Sequence, residues 1–142
     1  MRKSKYRLLL ANFPGTTNFF SERAPITVDS QSVTSDTLTA LRGYLYYDPS
    51  KYDLSKVERF EVQVEWESAG AGDVDVYDFT NNAKIADVAT PTGATGYTVT
   101  ITDVTSYLKS LTSPILIGIV AAGDGTNAVT VHRSVMRINI KL

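Results

Sequence analysis

Hydrophobic and polar positions alternate along much of this chain. Phe60, Val62, Val64 and Trp66 share one phase, while Arg59, Glu61, Gln63, Glu65 and Glu67 share the other. A period of two marks a strand with one face on a core and the other in water, so Trp66 is expected to be buried. Residues 5–12, 42–47, 73–79 and 97–102 read the same way. In the last of these, Tyr97, Val99 and Ile101 alternate with Thr98, Thr100 and Thr102. The run ILIGIVAA at 115–122 lacks alternation and predicts a central strand covered on both faces.

The turn chemistry divides these runs. Asp124–Gly125 supplies the positive φ of a tight hairpin, Asn81–Asn82 predicts a second one, and TPTGATG at 90–96 reads as a surface loop. The closing segment holds a conflict of phase. Val129 and Val131 point one way and Met136, Ile138 and Ile140 the other, which a β-bulge near Arg133–Ser134 would reconcile. Helix is expected only as single turns, near 53–57, where Ser55 opens a turn, and over 103–110, where Asp103 is the candidate N-cap. No βαβ rhythm is present. About eight strands at short intervals predict an all-β fold, an antiparallel two-sheet β-sandwich that is jelly-roll-like, in one domain over 1–142.

Composition narrows the chemistry. The 142 residues include no cysteine, which removes thiol nucleophiles and cysteine-based metal sites. The net charge of −1 gives no overall attraction to nucleic acid, although Arg2, Lys3, Lys5 and Arg7 make the start locally basic. The apolar run Leu8 to Leu10 is too short for an export signal, and no stretch reaches the roughly 18 apolar residues of a membrane helix. Localisation is therefore left unassigned.

Several segments, in order, carry a resemblance: RGYLYYDPSKYDLSKVERFEVQV, VDVYDFT, TDVTSYLKSL, ILIGI and VMRINIKL. Together they resemble the jelly-roll modules of prokaryotic surface proteins and phage tail proteins, including the disaggregatase-related type, over about residues 42 to 142. The tryptophan such modules often place before the Asp-Val-Thr segment is absent here. The Thr-, Val- and Tyr-rich, cysteine-free texture also looks like that of small structural proteins of archaeal viruses. These likenesses imply a virion or surface component, placed in the virion or host cytoplasm if viral.

Candidate sites follow from residue types. Glu61, Glu65 and Glu67 read as the wet face of their strand. Asp73 and Asp75 share a face two residues apart, and with Asp78 or a loop carbonyl from AGAG they could offer oxygens to calcium. No loop has the spacing of a dedicated calcium motif, so no cofactor or metal is expected. His132, the sole histidine, reads as a strand-surface residue, and no nucleophile-elbow or phosphate-loop glycine pattern is present. In RGYLYYDPSKYD, Leu45 and Tyr47 are expected to face inward. Arg42, Tyr44 and Tyr46 then face outward, with Tyr52 on the following loop. Tyr44, Tyr46 and Tyr52 are the candidate ligand-binding residues, since exposed rings stack on sugars or anchor protein partners.

The charges separate as well. Lys3, Lys5 and Arg7 lie on the first strand, Arg137 and Lys141 on the last, and the acids between, so the two signs can meet within one subunit or between subunits. The reading is a non-catalytic structural or interaction module, working by self-association or by docking to another structural protein. The alternative is a carbohydrate-binding jelly roll that uses the tyrosine patch.

Overall fold

The computed structural model describes residues 19–141, with side chains from residue 21 onward. The strand expected at 5–12 and the basic residues before it lie outside the described residues. Ten strands follow: β1 (Phe19–Thr27), β2 (Gln31–Val33), β3 (Thr39–Ala40), β4 (Leu45–Tyr47), β5 (Val57–Ser68), β6 (Asp73–Asp78), β7 (Ala83–Ala89), β8 (Thr95–Asp103), β9 (Ile115–Ala122) and β10 (Val129–Lys141). They form two antiparallel sheets. The first runs β1-β10-β5-β8 with β2 also on β10, and the second runs β3-β9-β6-β7 with β4 also on β9. With β1 and β2 taken as one broken strand and β3 and β4 as another, successive strands pass between the sheets in jelly-roll order.

The core is the inward phase of each strand. Phe60, Val62, Val64 and Trp66 of β5, with Met136 and Ile138 of β10, meet Val74 and Val76 of β6 and Ile117 and Ile119 of β9. Fully burying each such side chain contributes about 1.5 to 3 kcal/mol. Trp66 is buried as its phase requires, and its indole N–H donates to Thr100 Oγ1 at 2.9 Å. The phase conflict in β10 is resolved by a bulge. Val131 pairs with Trp66 and Arg133 with Glu65, leaving His132 as the extra residue, one position before the expected site. Both halves of β10 thereby face the core. Beyond the bulge, Ser134 is buried and satisfied by Thr27, whose hydroxyl lies 2.8 Å away.

Three local expectations shift. The strand Phe19–Thr27, with its Ser, Glu and Arg, shows too little alternation to read from sequence. The early helical turn is a 3-10 turn at Pro49–Lys51, capped by Asp48, whose carboxylate accepts from Ser50 N. Residues 53–56 form only a hydrogen-bonded turn held by Asp53. The later helix α1 (Thr105–Lys109) forms as expected. Its N-cap is Val104, and Asp103 accepts from Thr105 N one residue upstream. Among the described residues no helix is long and apolar enough to cross a membrane.

Edge strand β8 reverses the phase that alternation predicts, in which Tyr97, Val99 and Ile101 would face the core. Thr98 pairs with Trp66, Thr100 with Val64 and Thr102 with Val62, so the threonines face inward. Tyr97, Val99 and Ile101 point out and are about half exposed. Thr100, on the inward face, supplies the acceptor that the buried indole N–H needs. Trp66→Ala should lower the unfolding free energy by about 3 to 5 kcal/mol in urea titration. Iodide should leave the fluorescence of the native protein nearly unquenched.

Candidate functional site

The outer face of the second sheet gathers the aromatic side chains. Gly43 adopts φ 111°, and a Cβ there would stand 2.3 Å from Ile26 O, so only glycine fits the bend that delivers Tyr44. The bend is pinned by Gln31, whose amide accepts from Arg42 N at 2.6 Å and donates to Arg42 O at 2.9 Å. From there alternation turns Tyr47 inward and leaves Tyr44 and Tyr46 outward, 57% and 62% exposed. Tyr46 pairs with Leu116 of β9, itself outward, and Tyr77 of β6 pairs with Gly118.

Gly118 makes the arrangement possible. A Cβ at this position would meet the Phe79 ring at 2.4 Å, so the missing side chain is the space in which Phe79 lies. The Phe79 ring then meets Tyr44 edge-on with centroids 5.5 Å apart, and Tyr77 at 5.2 Å. Tyr77 is fixed from its other end, its hydroxyl donating to Asn82 Oδ1 at 2.9 Å. The result is a shallow platform of Tyr44, Tyr46, Tyr77, Phe79 and Leu116.

Tyr52 is not part of it. Its ring stacks on Tyr47 at 5.8 Å and meets Phe60 edge-on, packing against the core. Burial raises the pKa of Tyr52 and pushes that of Tyr47 up to about 12. Of the three tyrosines expected at the patch, two are there. Tyr77 and Phe79 were missed, although Tyr77 shares the outward phase of Asp73 and Asp75, and a glycine inside ILIGIVAA signals close approach.

The acids of β5 lie on the outer face of the other sheet and find partners within the chain. Arg133 Nε reaches Glu65 at 2.8 Å, Arg59 lies 3.5 Å from Glu61, and the Tyr97 hydroxyl donates to Glu65. His132, carried outward by its bulge, stacks on Tyr97 with centroids 5.2 Å apart. Its Nδ1 is 2.9 Å from Ser30 Oγ, and its Nε2 is 3.2 Å from Glu67 without hydrogen-bond geometry. Ser30, His132 and Glu67 are thus brought together, but Ser30 sits between two strands. No helix N-terminus follows it to supply oxyanion donors.

The acids of β6 divide by face. Asp78 points inward and accepts from Thr80 N at 3.0 Å, Asn81 N at 2.9 Å, Asn81 Nδ2 at 2.7 Å and the Tyr107 hydroxyl at 2.8 Å. It caps the β6–β7 turn and ties it to α1, so it does not join Asp73 and Asp75. Asp87 of β7 takes that place, standing opposite Asp75. Asp73, Asp75 and Asp87 bring carboxylate oxygens within 4.8 Å of one another. Burial, and next Asp73, push the Asp75 pKa up to about 6 against the pull of Lys84. Lys84 donates to Asp87 at 2.6 Å, which raises the lysine and lowers that aspartate.

No family model matches the chain, and no curated relative matches it. Similar solved structures include a family 29 carbohydrate-binding module, 14% identical over 83% of this chain and 89% of that one, with a TM-score of 0.44. A mutant of CBM29-2 complexed with mannohexaose is 14% identical over 83% and 92% of the two chains, also at 0.44. A carbohydrate-binding module of endoglucanase Cel5A from Eubacterium cellulosolvens is 13% identical over 81% and 97%, at 0.46. TM-scores this low describe a general likeness of outline, and the site is read from its own geometry.

Asp78 has a clear pH signature. Burial pulls its pKa up, but Asn81, Tyr107 and Thr80 outweigh burial and hold it below the ordinary 3.8. Its stabilisation is therefore complete above the unfolded value of about 3.9 and is lost as pH falls through the lower folded value. Asp78→Ala should cost about 2 to 4 kcal/mol at about pH 7. Urea midpoints measured from about pH 2 to 7 should show a shallower acid limb than the wild type.

Proposed function

We propose that the protein is a non-catalytic carbohydrate-binding module that holds a glycan on the outer face of the second sheet, with Tyr44 and Tyr46 as the stacking rings. The observation that carries this reading is the pre-set platform. Two tyrosines are more than half exposed on a sheet, and one of them is fixed by Phe79, which in turn occupies the space Gly118 leaves open. An exposed ring with a wet hydroxyl suits a ligand with apolar C–H faces and polar edges. A ring already ordered, as Tyr44 is against Phe79, loses little side-chain entropy on binding, which is where affinity is usually forfeited.

The chain should bind one or more oligosaccharides on a glycan array. Tyr44→Ala and Tyr46→Ala should each weaken binding by about tenfold or more in isothermal titration, with Tm nearly unchanged. Absence of binding across the array by the folded protein overturns the reading.

A second reading, as a structural or surface component that self-associates, has its own support. Among the described residues β8 closes the first sheet with an unpaired edge, and Tyr97, Val99 and Ile101 line that edge. The acids of the same face have partners within the chain, so association here would be apolar and raised salt would not dissociate it. On this reading light scattering finds a multiple of 15.5 kDa, reduced to the monomer by Val99→Lys with Ile101→Lys. A monomer at all concentrations tested rejects it.

A further inference from the structure

We infer that Asp73, Asp75 and Asp87 form a binding site for a hard divalent cation, calcium by its size, on the outer face of the second sheet. The first argument is Asp75 itself. The residue is 1% exposed, and neither of its carboxylate oxygens has a hydrogen-bond partner. Lys84 Nζ stands 3.7 Å from Oδ2, beyond hydrogen-bond reach, because it donates to Asp87 instead. A buried carboxylate held only by this long ion pair, with no donor on either oxygen, is left undercompensated unless a further positive charge completes it.

The second argument is the backbone that assembles the cluster. Residues three apart on a regular strand face opposite ways, yet Lys84 and Asp87 share a face. The register of β7 skips Ile85, and it skips Val88 as well. The bulges bring Asp87 directly across from Asp75, a like-charge pairing that is destabilising in a sheet. Asp73, two residues before Asp75, adds a third carboxylate. Three carboxylates and one ammonium leave a net charge of −2, the charge a divalent cation neutralises.

Oxygen-only donors select hard cations over zinc or copper. Calcium takes oxygens at about 2.3 to 2.6 Å, so oxygens on opposite sides of it lie about 5 Å apart, a span that ligand atoms within 4.8 Å of one another satisfy. The Thr90 hydroxyl, 3.5 Å from Asp73 Oδ1, stands at the rim as a further oxygen. Water fills the remaining positions. Access is open, since the side chains of Asp87 and Lys84 are 68% and 47% exposed and Lys84 can swing out as the ion enters. The bound ion would fasten edge strand β7 to β6.

The test uses the full chain, stripped with a chelator and dialysed, then titrated with calcium chloride by calorimetry and thermal melting. Calcium at millimolar concentration should raise Tm by about 3 to 8 °C. Lys84→Gln, which removes the competing ammonium, should tighten calcium binding by about tenfold. Asp75→Asn and Asp87→Asn should lose the calcium response. Asp75→Asn removes a buried charge at constant shape, so a chelator-treated Tm no lower than the wild type separates lost binding from lost fold. Magnesium should give a response at least about tenfold weaker, because it demands a tighter octahedron than this spread provides. Wild type and Lys84→Gln both silent to calcium, a calcium response that persists in Asp75→Asn, or magnesium binding as tightly as calcium would each overturn the assignment. Glycan binding plays no part in these readouts.

Discussion

The pairing of β5 with β10 is the constraint on which the rest of the structure depends. Val57–Ser68 and Val129–Lys141 run antiparallel at the centre of the first sheet, and both are too long to keep one phase against the core without adjustment. Glu58 is the extra residue near the start of β5, and an extra residue at His132 makes the adjustment in β10. It keeps Val129 and Val131 inward before the bulge and Met136 and Ile138 inward after it. Without it half of β10 would turn its valines or its isoleucines to water, since a one-residue slip moves every side chain to the other face. The inner surface so completed is what β6 and β9 pack against.

The same bulge shapes the outer face of that sheet. It turns His132 toward Ser30, Tyr97 and Glu67, and it keeps Arg133 level with Glu65. Glu65 and Glu67 are therefore met from the neighbouring strand, by cross-strand pairs that each contribute on the order of 0.2 to 1 kcal/mol, while Arg59 of β5 itself lies beside Glu61. What remains open on this face is the apolar row of β8.

The second sheet distributes its chemistry along one strand. Asp73, Asp75 and Tyr77 are successive outward positions of β6, spaced by roughly 7 Å. The Tyr77 end joins the aromatic platform across Gly118, while the Asp73 and Asp75 end meets Asp87 across the bulged β7. Asp78, on the opposite phase, turns inward and is consumed by the turn and by α1. Four residues, three outward and one inward, thus supply an aromatic ring, two members of a carboxylate cluster and a buried cap.

Much of this was written locally. Alternation alone determined that the chain is all β, that Trp66 is buried, that β10 needs a bulge and that Tyr44 and Tyr46 point outward, because the two-residue period is a property of each strand by itself. Composition determined that no thiol chemistry is available. Only the tertiary structure decided matters that depend on which strands become neighbours. Asp87 joined Asp73 and Asp75 because β7 is bulged against β6, and Tyr52 packed against the core, stacked on Tyr47 and edge-on to Phe60. The register of β8 on β5 put Thr98, Thr100 and Thr102 inward, where Thr100 accepts from the Trp66 indole, and left Tyr97, Val99 and Ile101 outward. Periodicity states that a strand has two faces, but it is the partner across the sheet that selects which one is buried, and that partner lies tens of residues away in the chain.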